Sequence, residues 1–124
     1  MKLVVALIGT ILISTLTFGQ KKGTVETKMH VEGICGMCED RIESALDVKG
    51  IWIAEWDVET QKLYVVYKES KITKEQISAL INEAGHDTEL SKATDEQYGK
   101  VHGCCLYRDE AVKKQHNKGA EHED

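Results

Sequence analysis

Apolar and polar residues alternate at the start of the chain's middle region. Val25, Thr27, Met29 and Val31 fall on one side of a period-two pattern, which predicts a strand over 25–32 with one buried face. Gly33 breaks it, and the period then changes. Ile42, Ala45 and Leu46 recur at i, i+3 and i+4, predicting a helix over 38–48 that stops at Gly50. Glu39 and Asp40 sit in its first turn, where the helix dipole favours acids. Ala54, Trp56 and Val58 alternate with Glu55 and Asp57 in a β-branched and aromatic run, a second strand over 51–58. Leu63, Val65 and Tyr67 mark a third over 63–67. The polar turn at 59–62 joins these two as an antiparallel hairpin. Thr73 and Gln76 have capping-box spacing ahead of the stripe Ile77, Leu80, Ile81 and Ala84, a second helix ended by Gly85. A short fourth strand is predicted over 86–90.

Strand, helix, strand, strand, helix, short strand is the order of an α+β, ferredoxin-like βαββαβ sandwich. It implies a four-stranded antiparallel sheet with two helices on one face, occupying 24–90. Alternation puts Trp52 and Trp56 on the same face, so both are read as packing residues. The extension at 91–124 is polar, with Tyr98, Val101, Leu106 and Tyr107 as its few apolar anchors, and its tail from 111 reads as disordered. Residues 1–19 have a positive start at Lys2, an apolar run and a small-residue end at Thr17 and Gly19. That is the layout of a signal peptide cleaved before Gln20, and it implies an exported protein, periplasmic or secreted. The alternative is an uncleaved anchor, for which the apolar run is short.

Composition changes this picture little. The chain has 124 residues, enough for one domain, and 21 acidic against 16 basic residues give a net charge of −5. Removal of Lys2 with the leader makes the charge more negative still. An acidic exported chain is a poor candidate for nucleic acid or for an anionic membrane surface.

The cysteines change it most. Cys35 and Cys38 stand at C-x-x-C spacing between the first strand and the first helix. Two thiolates there suit a soft ion: copper(I) first, with zinc, cadmium and mercury(II) sharing the same ligands. A structural disulfide and a thioredoxin-type redox dithiol are the alternatives. The redox fold depends on a cis-proline, and this chain contains no proline. Haem attachment would need histidine after Cys38, where Glu39 stands, and a closed zinc site would need four near ligands. Cys104 and Cys105 are adjacent. In an oxidising compartment even-numbered cysteines first suggest disulfides. No nucleophile–base pair and no paired carboxylates mark the chain as an enzyme.

The residues from about 24 to 90 resemble the heavy-metal-associated domain, found in copper chaperones, metal-transporting P-type ATPases and periplasmic mercury-binding proteins. The resemblance is carried by Val31-Glu32-Gly33 leading to Cys35-Gly36-Met37-Cys38, then by Arg41 to Leu46. Gly50-Ile51, Ala54, Trp56, the run from Leu63 to Tyr67, and Ile81 to His86 continue it. It implies transfer of a soft metal by thiolate exchange, with a metal-transporting ATPase or another donor or acceptor as partner. Gly33-Ile34-Cys35 is one residue shorter than the usual family turn, with Ile34 in place of a methionine that packs beneath the loop. His86 stands where the family commonly has tyrosine, lysine or phenylalanine. Its imidazole is a candidate third ligand or charge modulator, with an exposed loop histidine as the bland alternative. Cys104 or Cys105, with His102, is read either as folding back on the first site or as a second metal site. The alternative is disulfide pairing with Cys35 or Cys38, or between molecules. His116 and His122 read as tail residues. The rival functions are a thiol–disulfide enzyme and a disulfide-stapled interaction module without metal.

Overall fold

The computed structural model describes residues 23–120, so the leader at 1–19 and His122 lie outside the described residues. Five elements build the domain: strand β1 (Thr24–His30), helix α1 (Gly36–Ala45), strands β2 (Ile51–Asp57) and β3 (Lys62–Lys68), and helix α2 (Lys74–Glu83). The strands form one antiparallel sheet in the order β1-β3-β2. The register sets Met29 opposite Leu63, Thr27 opposite Val65, and Trp56 opposite Leu63. Met29, Leu63, Val65 and Trp56 meet Ile42 and Leu46 of α1 and Ile77 and Ile81 of α2 in one core. The capping box at Thr73 and Gln76 forms in both directions.

Two expectations about the sheet change. Trp52 is 55% exposed rather than packed, whereas Trp56 is 3% exposed. The ladder slips between Ile51 and Ile53, which face Tyr67 and Val66 in turn, so the side chain of the residue between them is turned outward. The fourth strand is reduced to a single antiparallel bridge between Val31 and Thr88, on the edge of the sheet beyond β1. Glu32 N–H donates to the Asp87 carbonyl at 2.9 Å and Glu89 N–H to the His30 carbonyl at 3.0 Å. The segment then turns away. The Thr88 hydroxyl accepts from the N–H groups of Leu90 and Ser91, and Thr88 N–H reaches the Ser91 carbonyl. A side chain that closes a turn on its own backbone ends the strand after one bridge.

Helix α2 ends in a Schellman motif. Gly85 has φ +99°, its N–H donates to the Asn82 carbonyl, and His86 N–H donates to the Ile81 carbonyl. A Cβ on Gly85 would lie 2.5 Å from Val101 Cγ2 and 2.8 Å from the Gln97 carbonyl oxygen, so the extension packs directly on this turn. That extension consists of α3 (Asp95–Tyr98), a 3-10 turn (Gly103–Cys105) and α4 (Glu110–Ala120). The tail expected to be disordered from 111 is therefore helical as far as 120. Asp109 initiates α4 by accepting from Ala111 N–H at 2.8 Å, and Lys113 pairs with Glu110 one turn away. Among the described residues no helix is long and apolar enough to cross a membrane.

Candidate metal centre

The loop between β1 and α1 carries the C-x-x-C pair. Cys35 is the N-cap of α1, in extended conformation, and its carbonyl accepts from Cys38 N–H at 3.0 Å and Glu39 N–H at 3.2 Å. This places Cys38 within the first turn of α1, which begins two residues earlier than its hydrophobic stripe suggests. The two Sγ atoms lie 3.3 Å apart, with Cys38 fully buried and Cys35 half-buried.

Three contacts support the loop from beneath. A Cβ on Gly33 would come within 2.8 Å of the Trp56 ring, so only glycine lets the backbone lie on that indole. Trp56 Nε1–H donates to the Val31 carbonyl at 3.0 Å. Gln61, at φ +55° in the hairpin turn, donates its side-chain amide to the Gly33 carbonyl. No pattern in the sequence marks Gln61, because its role depends on the turn that brings it back under the loop.

The extension supplies the rest of the site. Tyr107 is 1% exposed. Its hydroxyl donates to the Gly85 carbonyl at 2.6 Å and accepts from Asp87 N–H at 3.0 Å. Its ring stacks on His86 and meets Tyr98 edge-on. Arg108 forms a two-point pair with Asp87, at 2.7 and 3.2 Å, and lies over the Tyr98 ring. This packing fixes the 3-10 turn against the C-x-x-C loop and buries Cys105 there. The Sγ atoms of Cys35, Cys38 and Cys105 all lie within 4.8 Å of one another. Cys35 and Cys105 are joined as a disulfide, while Cys38 and Cys104 are free thiols. The C-x-x-C pair is thus not a pair of free thiols in this state. Cys38 S–H donates to the Cys35 sulfur. The disulfide closes a loop of 70 residues, a constraint worth about 4 kcal/mol in unfolded-chain entropy.

The adjacent cysteines therefore divide. Cys105 enters the three-sulfur cluster. Cys104 is exposed and stays outside it, 3.8 Å from the Cys105 sulfur and 3.4 Å from Met37 Sδ. His102 is exposed and also outside it. His116, expected in a tail, lies on α4 with its Nε2 2.6 Å from the Cys104 carbonyl oxygen.

His86 is fully buried, not an exposed loop residue. Its Nδ1–H donates to the Glu32 carbonyl at 2.8 Å, and its Nε2 is buried without a hydrogen-bond partner. Burial holds the imidazole below its ordinary pKa and outweighs the hydrogen bond to Glu32, so the ring is neutral at pH 7. It is not one of the three grouped ligand residues. Burial likewise pushes the Cys38 thiol up, against the lowering effects of backbone hydrogen bonds at Ile34 and Cys35 and of Arg41. A cation held at the cluster would supply the positive charge that burial withholds, since a coordinated thiol is deprotonated by its metal.

Residues 28–87 match the family model of the heavy-metal-associated domain. The copper chaperone CopZ of Staphylococcus aureus (strain bovine RF122 / ET3-1) is 36% identical over 61 residues, covering 90% of that protein and 48% of this chain. This chain belongs to the heavy-metal-associated domain family. Among solved structures, a CopZ metallochaperone is 32% identical with a TM-score of 0.50, over 98% of its chain and 52% of this one. A putative copper-ion-binding protein from Bacillus anthracis str. Ames is 26% identical with a TM-score of 0.51, over 96% of its chain and 53% of this one. Oxidised MerP from Ralstonia metallidurans CH34, 20% identical with a TM-score of 0.51 over 94% of its chain and 53% of this one, shares the fold. The metal-binding family match ends at residue 87, so Cys105 reaches the C-x-x-C loop from beyond it, and Tyr107 packs from beyond it on the turn after α2.

Proposed function

We propose that this chain is an exported copper(I) carrier. Cys35 and Cys38 hold the ion as thiolates and release it by ligand exchange to a metal-transporting ATPase or another acceptor. The observation that carries the reading is the 3.3 Å approach of these two sulfurs on the loop of a domain related to copper chaperones. Two-coordinate sulfur suits copper(I), and stepwise exchange of one thiolate for another moves such an ion without freeing it. His86 acts beside the site as a positioning group. Its Nδ1–H holds the Glu32 carbonyl and its ring packs on Tyr107. The leader at 1–19 supports export, and export requires that the thiols be kept reduced or metallated.

The Cys35–Cys105 disulfide favours a second reading, a stapled interaction module without metal. Anaerobic titration separates the two. The full chain, reduced and freed of reductant, is titrated with copper(I) and with zinc against chromophoric chelators. The carrier reading expects one copper(I) per chain that excess zinc does not displace. Failure of the reduced chain to take up either metal supports the stapled module. Displacement of copper by zinc overturns the choice of metal.

A further inference from the structure

The family loop brings two sulfurs, but the fold brings three. We infer that the C-terminal extension completes a three-thiolate soft-metal site, Cys35, Cys38 and Cys105, which the Cys35–Cys105 disulfide closes and reduction opens. The inference rests on the reading of Cys35 and Cys38 as metal ligands and adds a ligand from outside the matched domain.

The geometry is specific to one of two adjacent cysteines. Cys105 is buried, and its sulfur lies within 4.8 Å of those of both Cys35 and Cys38. Cys104 is exposed and turned to Met37. The approach of Cys105 does not depend on the disulfide alone. Tyr107, two residues on, is anchored on Gly85 and Asp87, and Arg108 is anchored on Asp87 and Ala93. None of these contacts runs through the S–S bond, so they are available to keep the three sulfurs together when it is broken. Once the S–S bond is opened, three sulfurs converging from the loop and the extension offer trigonal coordination to a thiophilic ion.

The disulfide and the ion compete for the same sulfurs. An external dithiol opens the site in a balanced exchange. Its thiolate attacks one sulfur of Cys35–Cys105 and forms a mixed disulfide. Its second thiol then displaces the protein and forms the reductant's own disulfide. Two electrons and two protons pass to Cys35 and Cys105. Metal binding by all three thiolates then releases the protons of all three thiols. A bound ion bridges Cys35 and Cys105 and so closes the same 70-residue loop that the disulfide closed. Because the ion binds only the reduced form, its presence draws the disulfide toward reduction.

The test is X-ray absorption at the copper edge on the full chain. The protein is reduced with dithiothreitol, desalted anaerobically and loaded with one equivalent of copper(I). Wild type is expected to show three sulfur neighbours, Cys105→Ser two, and Cys104→Ser three. Copper(I) affinity in Cys105→Ser is expected to fall at least about tenfold, the low end of what losing even an outer-shell partner costs a metal site. The wild-type chain oxidised in air is expected to lose its copper on gel filtration. Two sulfurs in the wild type, three in Cys105→Ser, or full retention by the oxidised chain would each overturn the inference. The wild-type results hold whatever the variants do to folding. A Cys38→Ser chain with wild-type affinity and coordination would instead overturn the reading of Cys38 beneath it.

Discussion

Copper(I) affinity of the reduced chain is expected to fall at least about a hundredfold in Cys38→Ser. Structural metal sites of four ligands contribute about 10–16 kcal/mol, roughly 3 kcal/mol or a hundredfold per ligand. Serine offers a hard hydroxyl that stays protonated where the thiol gives a soft thiolate. Cys38 is the sharper choice than Cys35 because it is a free thiol, whereas Cys35 also forms the disulfide to Cys105. The substitution removes a proposed metal ligand and leaves both disulfide partners, Cys35 and Cys105, in place. The volumes of the two side chains are close, so the fold, followed by circular dichroism, is expected to be unchanged. Competition against a chromophoric copper(I) chelator measures the effect. An unchanged affinity would mean that the ion sits elsewhere.

The second large effect concerns stability. Tyr107→Ala is expected to destabilise the chain by about 5 kcal/mol, a large part of the 5–15 kcal/mol typical of a domain. Truncating a fully buried aromatic residue costs about 3–5 kcal/mol. Tyr107 also satisfies two buried backbone groups, the Gly85 carbonyl and the Asp87 N–H, and each left without a partner costs about 1–3 kcal/mol. Tyr107→Phe keeps the ring contacts with His86 and Tyr98 and loses only the hydroxyl, so about 1–3 kcal/mol is expected. Denaturant midpoints of oxidised and reduced protein measure both. In Tyr107→Ala the reduced form is expected to lose more, because no covalent link then holds the extension to the domain. A loss under about 1 kcal/mol would show that the extension is not seated by this residue.

The domain's elements were legible where a residue's neighbours in sequence decide its role. The stripe of Ile77 and Ile81, the capping box at Thr73 and the inward Trp56 follow from spacing alone, and all three are present. The C-x-x-C pair was legible for the same reason, since its position between a strand and a helix places it on the loop. Local pattern failed where long-range contacts decide. Trp52 turns outward because the ladder slips beside it, and alternation carries no signal for a slip. The segment 86–90 looks like a strand, but Thr88 closes a turn and Asp87 is committed to Arg108. The helix at 110–120 hides in a charged sequence because few of its residues are apolar. Cys104 and Cys105 were visible as a pair, yet only the seating of Tyr107 turns one inward and the other out. The same contact buries His86, for which an exposed loop position was the bland alternative to a ligand role. At Cys38 burial outweighs the backbone hydrogen bonds of the helix N-terminus and pushes the thiol up.

Carriage requires release as well as binding, and the most direct test measures transfer. The reduced full chain is loaded with one equivalent of copper(I) and mixed anaerobically with the soluble N-terminal domain of a copper-transporting ATPase. The two proteins are then separated on an anion-exchange column and their copper measured. The account predicts that copper distributes between the proteins within the mixing time, and that a copper(I) chelator of equal affinity removes it more slowly. Copper that stays wholly on the chain, or that leaves no faster to the domain than to the chelator, would contradict it.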